Sequence, residues 1–308
     1  MPAPGCDLSH RRILREAVLP RPAVERSGKP PLRALAGRIL DASPHLLVLR
    51  TGDGGELRLP MSQSTSVWYG GRSGLQALRP GREAIVRPVA RGPEVERVWV
   101  DIVRVTGTIA SRGRGTVEVD QGPHRPPANV VIPPQTLGRV LVRHPRFEPG
   151  FLIDVIATRS ADGPRAVRPG TSQPGYRADD VAPSELAGPV PRVLSGTATW
   201  CEGTGRGAAY PALDPEGDAG GCPDAPAGCA PLPYLSLGSD LLVRNECTGR
   251  ACSVPVTECG CTAARYCDRC VECGTSPRGR VAELTALSFV DLGGELDSGC
   301  FNVTLMVG

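Results

Sequence analysis

The sequence predicts an all-β chain built of three units, and three observations carry that expectation. Gly 38 and Pro 32 together make 70 of 308 residues, while 40% of the chain is apolar. Breakers at that density cut a chain into short elements joined by turns, and enough apolar side chains remain to bury cores. Between the breakers apolar residues recur with period two, as in a strand with one covered face. Finally, charge and cysteine content change together just before Gly196. Residues 1–195 carry 28 Lys+Arg and 18 Asp+Glu, for +10, whereas residues 196–308 carry 7 and 14, for −7.

Residues 1–33 are rich in Pro and Arg and read as an arm, with at most a short helix over Ser9 to Val18. The first β unit spans 34–105. Leu46 to Leu49 is an apolar run, Thr51-Gly52-Asp53-Gly54-Gly55 a turn, and Glu56-Leu57-Arg58-Leu59 alternates, so this stretch is a hairpin. A second hairpin follows from Ala84 to Val89 and from Val95 to Val105. The plan then recurs over 106–165. Gly37-Arg38-Ile39 returns as Gly107-Thr108-Ile109, and Arg79-Pro80-Gly81 as Glu148-Pro149-Gly150. Between these marks each copy has a strand pair around a glycine turn (Glu56 to Leu59; Thr116 to Val119), an apolar strand (Val67 to Tyr69; Val130 to Ile132) and a strand after the Pro-Gly turn (Ala84 to Val89; Phe151 to Thr158). In length and strand count the two units resemble the OB-like barrels that occur in tandem in bacterial envelope proteins. Residues 166–193, with four prolines after Gly170, read as a semi-rigid linker.

The third unit, 194–308, carries specific motifs. Ser195 to Trp200, Leu235 to Asn245, Val254 to Glu258, Arg278 to Thr285 followed by Leu287 to Leu292, and Phe301 to Val307 stand in this order. In order and spacing they resemble the double-psi β-barrel of rare-lipoprotein-A-type, barwin and expansin proteins. The resemblance implies a β-barrel with a binding groove, and places Glu258 and Glu283 where lytic-transglycosylase-like members carry two aspartates. Their partner histidine should fall near Leu232, yet His10, His45, His124 and His144 all precede this unit. Glycoside cleavage needs a proton donor and a second group that stabilises charge or activates a nucleophile. Glu258 is the candidate acid, and Asp240 or Glu283 would have to supply the rest. With the histidine absent, the preferred reading makes Glu258 a polar residue at the lip of a binding groove.

The cysteines offer a second chemistry. Cys201, Cys222, Cys229, Cys247, Cys252, Cys259, Cys261, Cys267, Cys270, Cys273 and Cys300 crowd the last 108 residues, and Cys6 stands apart. That density marks a disulfide scaffold or a metal module. Cys-x2-Cys spacing lets two thiolates face one metal, so Cys259, Cys267, Cys270 and Cys273 are a conceivable zinc set. Disulfides are the preferred reading, with Cys201 bonded to Cys300 or into the Glu202 to Cys229 loop, which is read as irregular. No cofactor is expected unless that zinc is present.

Aromatics make up 4% of the chain, too little stacking surface to suggest single-stranded nucleic acid binding. Trp68, Tyr69 and Trp99 fall on strands and read as packing residues. Lys29 is the only lysine against 34 arginines, a compositional bias that weakens any single arginine as a sign of phosphate binding. The basic units and the acidic third unit are also suited to pair with each other, within or between chains. No run reaches the ~18 to 20 apolar residues of a membrane span. The opening residues show no apolar signal-peptide core, against which the cysteine density argues for an oxidising compartment, outside the cell or in its envelope. The expected function is non-catalytic binding or assembly at a bacterial cell surface, with a cell-wall glycan, envelope proteins or further copies of the chain as partners, as in a surface filament. The alternatives are a peptidoglycan lytic-transglycosylase-like enzyme using Glu258 and a secreted protease inhibitor.

Overall fold

A computed structural model of the chain describes residues 28–180, 192–203, 205–214, 232–260 and 279–307. The arm helix and Cys6, Cys222, Cys229, Cys261, Cys267, Cys270 and Cys273 lie outside the described residues. The fold is all-β and has three units.

The first unit contains β1 (Leu35–Ser43), β2 (Leu46–Arg50), β3 (Glu56–Pro60), β4 (Ser66–Trp68), β5 (Arg72–Ser73), β6 (Glu83–Pro88) and β7 (Val95–Val100). They form one sheet in the order β3-β2-β1-β6-β7-β4-β5. The second unit contains β8 (Ile102–Arg112), β9 (Thr116–Asp120), β10 (Ala128–Val131), the helix α1 (Pro134–Arg143), β11 (Leu152–Thr158) and β12 (Arg165–Pro169). Its strands close a barrel, β10-β12-β11-β8-β9.

The repeat predicted from paired motifs is present in the hydrogen bonding. Gly81 and Gly150 both have positive φ, 89° and 88°, and each donates its N–H to the isoleucine of the repeated motif, Ile39 at 2.8 Å and Ile109 at 2.9 Å. In both units the strand after this turn runs antiparallel to the first strand, β6 to β1 and β11 to β8. In both, a short apolar strand lies parallel to the last one, β4 to β7 and β10 to β12. That connectivity is OB-like. Gly37 and Gly107 are small because a neighbouring strand's carbonyl needs the space: a Cβ at Gly37 would lie 2.6 Å from the Arg50 oxygen, and one at Gly107 2.0 Å from the Asp120 oxygen.

Four expectations change. The counterpart of β9 is β2, which pairs directly with the first strand of its unit; β3 is an extra strand at the sheet edge. The strand expected from Val95 to Val105 is two strands in different units. The break falls at Asp101, whose φ of 48° turns the chain while its carboxylate accepts from the Glu83 N–H and faces Arg82 at 3.4 Å. The expected linker begins too early, because Arg165–Pro169 is the last strand of the second barrel. Lastly, α1 was not expected. Pro134 opens it at a position where a missing N–H costs nothing, and Thr136 and Val140 turn inward.

The third unit contains β13 (Val193–Cys201), β14 (Ala208–Tyr210), β15 (Asp240–Asn245), β16 (Ala251–Cys259), β17 (Arg280–Thr285), α2 (Ala286–Asp291) and β18 (Cys300–Val307). It closes as β13-β17-β14-β16-β15-β18. Two of its neighbouring pairs are parallel, β13 with β17 and β14 with β16, as a double-psi barrel requires. The predicted strand-and-helix element is β17 followed by α2, whose cap is Thr285. However, β14 lies inside the stretch expected to be irregular. Three residues among glycines carry no readable period, and only the pairing on both sides makes Ala208–Tyr210 a strand.

One apolar core joins the units. The third barrel's core, with Trp200, Tyr210 and Phe289, is continuous with Trp68 and Trp99 of the first unit and Ile102 and Ile156 of the second. Around it, arginines of the basic units meet carboxylates of the acidic one: Arg87 with Glu295, Arg97 with Asp297 and Glu295, and Arg159 with Glu202. The Trp99 indole N–H also donates to Asp297 at 2.8 Å. Part of the charge asymmetry of the sequence is thus met within the chain.

Candidate functional site

Strand register assembles the candidate carboxylates. Ala209 of β14 pairs with Glu258 of β16 on one side and with Glu283 of β17 on the other, and Glu283 pairs in turn with Thr199 of β13. Glu258 and Glu283 therefore sit two strand spacings apart in one row, about 9.6 Å at the backbone. Residues paired across strands share a face. Cys201, at the end of β13, joins them. Its thiol contacts Glu258 Oε1 at 3.7 Å.

Asp240 does not join. It pairs with Pro255, three residues before Glu258 on β16. On β15 the buried residues are Leu241, Val243 and Asn245, and alternation puts Asp240 on the opposite face. Asp240 is exposed on the outer face.

The two carboxylates that do share the row are each held by an arginine. Arg280 donates to Glu283 at 2.7 Å and, through its other terminal nitrogen, to Asp154 of the second barrel at 2.7 Å. Both Glu283 and Arg280 are almost fully buried. Glu258 is about one-third exposed and accepts from Arg125 at 2.8 Å. Arg125 reaches in from the loop between β9 and β10. Arg125 thus comes from the second unit and not from the third barrel itself. Burial alone would weaken its hold on the proton, but Cys201, Glu283 and Glu258 outweigh burial and keep its pKa above that of an ordinary arginine. Arg125 is thus a fixed cation and not a proton shuttle.

The Cys201 thiol is pushed up to about 12 by burial, and Glu283 and Glu258 add to the rise while Arg125 opposes it. It is a neutral thiol at physiological pH, which is poor chemistry for nucleophile or metal ligand alike. The disulfide expected for Cys201 does not form. Thr199 is the residue that faces Cys300 across β13 and β18, so Cys201 lies two residues past it and turns to Glu258 instead. Cys252 is also a free thiol, raised to about 11 by burial, with Asp291 adding and Arg206 opposing. Cys247 and Cys259 are disulfide-bonded. Cys247 precedes the start of β16 and Cys259 ends it, and this nine-residue strand is close to 30 Å long, roughly four times the reach of a disulfide, so the two are not bonded to each other. Cys259 is consequently not available to the zinc set, whose other members lie outside the described residues. Among the described residues no cluster of three His, Cys, Asp or Glu is placed to hold a metal.

Sequence reasoning placed Glu258 and Glu283 in one site but missed Arg125, Cys201 as their thiol neighbour, and Arg280. The one signal for Arg125 is its setting in Gly122-Pro123-His124-Arg125-Pro126-Pro127, a loop stiffened by prolines around a single long cation. His144 is fully buried and accepts from the Asp154 N–H at 3.1 Å, holding the second barrel's network and not the site. No helix of the described residues is long and apolar enough to cross a membrane. No family model matches the chain, and no curated protein matches it significantly.

Proposed function

We propose that the chain is a non-catalytic binding or assembly protein of a bacterial cell surface, a member of the double-psi barrel group whose third unit offers its groove to a glycan or a protein. The observation that carries this reading is the pairing of Arg125 with Glu258. A glycosidase acid must present a proton to the leaving oxygen of the substrate, whereas Glu258 Oε1 is occupied by a guanidinium and a thiol. The second carboxylate, Glu283, is sealed in a buried ion pair. What remains accessible is a polar lip, suited to hydrogen bonding with a ligand. Export to an oxidising compartment belongs to the same reading, supported by the disulfide-bonded state of Cys247 and Cys259.

The enzymatic alternative keeps one supporting feature, the shared row of Glu258 and Glu283. Incubating the full chain with purified sacculi separates the readings. The expected result is co-sedimentation without release of soluble muropeptides. Release that disappears in Glu258→Gln would replace this proposal with the enzymatic one. Neither release nor co-sedimentation would remove the glycan and leave a protein as the groove's partner.

A further inference from the structure

The three units differ at their edges. The second and third close on themselves, but the first stays an open sheet with β3 at one end and the two-residue β5 at the other. In the second unit β9 pairs with β10 and seals the barrel. In the first, the counterpart β2 pairs with β3 instead of β4, and β3 has no strand on its far side. Among the described residues β2 is the one element that β3 packs along.

The alternation of hydrogen bonds fixes which groups face outward. The Met61 N–H donates to the His45 carbonyl and the Thr51 N–H to the Gly55 carbonyl, each at 2.9 Å, so the odd-numbered residues from Gly55 to Met61 turn their backbone toward β2. Glu56, Arg58 and Pro60 turn theirs away and have no backbone partner among the described residues. Their side chains are exposed as well, while Leu57 is half-buried and Leu59 buried. An edge of this kind is a template for a further strand. Charges on an edge usually guard it, but those of β3 are of opposite sign, with Arg58 donating to Glu56 at 2.9 Å.

We propose that β3 pairs antiparallel with β3 of a second copy of this chain, with Glu56 of each copy opposite Arg58 of the other. Outward-facing residues must meet outward-facing residues for the ladder to form. Setting Arg58 against Arg58, or Glu56 against Glu56, brings like charges together and opposes pairing. Setting Glu56 against Arg58 forms two ladder pairs, each exchanging both its hydrogen bonds, and joins each ion pair to its copy in a ring of alternating charge. A two-fold axis then passes between the two Leu57 side chains, which cover each other's remaining surface. Pro60 has no donor and ends the ladder. The contact is isologous, so it closes a dimer and by itself builds no filament. It lies in the first unit and stands whatever the third barrel's groove binds.

Sedimentation velocity of the full chain over a range of concentrations tests this, with Glu56→Arg, Arg58→Glu and an equimolar mixture of the two variants. The wild type should show a reversible equilibrium between monomer and dimer. Each variant alone faces like charges in both ladder pairs and should associate at least about tenfold more weakly. In the mixture unlike charges are opposed again, so the dimer should return, which also shows that both variants are folded. A wild type that stays monomeric at every concentration would overturn the proposal and leave the edge to a strand of another protein. A dimer indifferent to both reversals, or losses that the mixture does not recover, would overturn it as well.

Discussion

At Asp154 a fully buried carboxylate accepts hydrogen bonds from Arg104, Thr106, Thr171 and Arg280. Burial by itself would raise its pKa, but Arg104 and Arg280 outweigh burial and hold it well below the usual carboxylate range. A carboxylate depressed in the folded state contributes stability that is present above its unfolded value, here 3.8, and lost as pH falls below it. Acid unfolding of the wild type should therefore steepen below pH 3.8, and Asp154→Asn should remove part of that steepening. Truncation to Asp154→Ala leaves two guanidinium groups without their shared partner and should cost about 3 to 5 kcal/mol in denaturant titration, the range for breaking a buried pair. Cys201 makes a different statement about the same region. With its thiol near 12 and that of Cys252 near 11, about one in ten thousand and one in a thousand respectively are thiolate at pH 8. Iodoacetamide followed by mass spectrometry should leave both unlabelled in the folded protein and label both after denaturation. Rapid native labelling of Cys201 would show that its pocket opens.

Among the elements, the strands were legible wherever an apolar period or a Pro-Gly turn marked them. The repeat could be read because its two glycine positions have separate physical causes, close approach at Gly37 and Gly107 and left-handed backbone at Gly81 and Gly150. The elements that escaped were fixed by partners distant in sequence: β14 by β16 and β17, and β12 by β10 and β11. A clear ranking follows for glycine substitutions. Gly107→Ala would press a methyl against the Asp120 carbonyl oxygen at 2.0 Å and carbon at 2.8 Å, backbone atoms that cannot give without opening β8 from β9, and against the Val119 side chain at 2.9 Å. It should destabilise by about 3 kcal/mol or more, and Gly37→Ala, with 2.6 Å available, by less. Gly138→Ala, within α1 and with open space around it, should stabilise by about 0.5 to 1 kcal/mol. Thermal unfolding of the three variants checks the order.

For the molecule as a whole, the opposite charges of the basic units and the acidic barrel turn out to be an intramolecular fit. The sum was readable from composition, but the pairing was not. Arg104 and Asp154 are 50 residues apart and Arg280 is a further 126 from Asp154, so no local pattern links them. The site was half legible for the same reason. Glu258 and Glu283 stand at positions that the barrel motifs locate, whereas Arg125 belongs to another unit and enters only through docking. If the ion pairs between units, Arg280 with Asp154 among them, lock the third barrel in place, the three units must melt together. Differential scanning calorimetry of the full chain tests this most directly. The account expects one transition in the wild type, with calorimetric and van't Hoff enthalpies in agreement, and separated transitions in Asp154→Asn. Separate transitions already in the wild type, with the third barrel melting on its own, would contradict it.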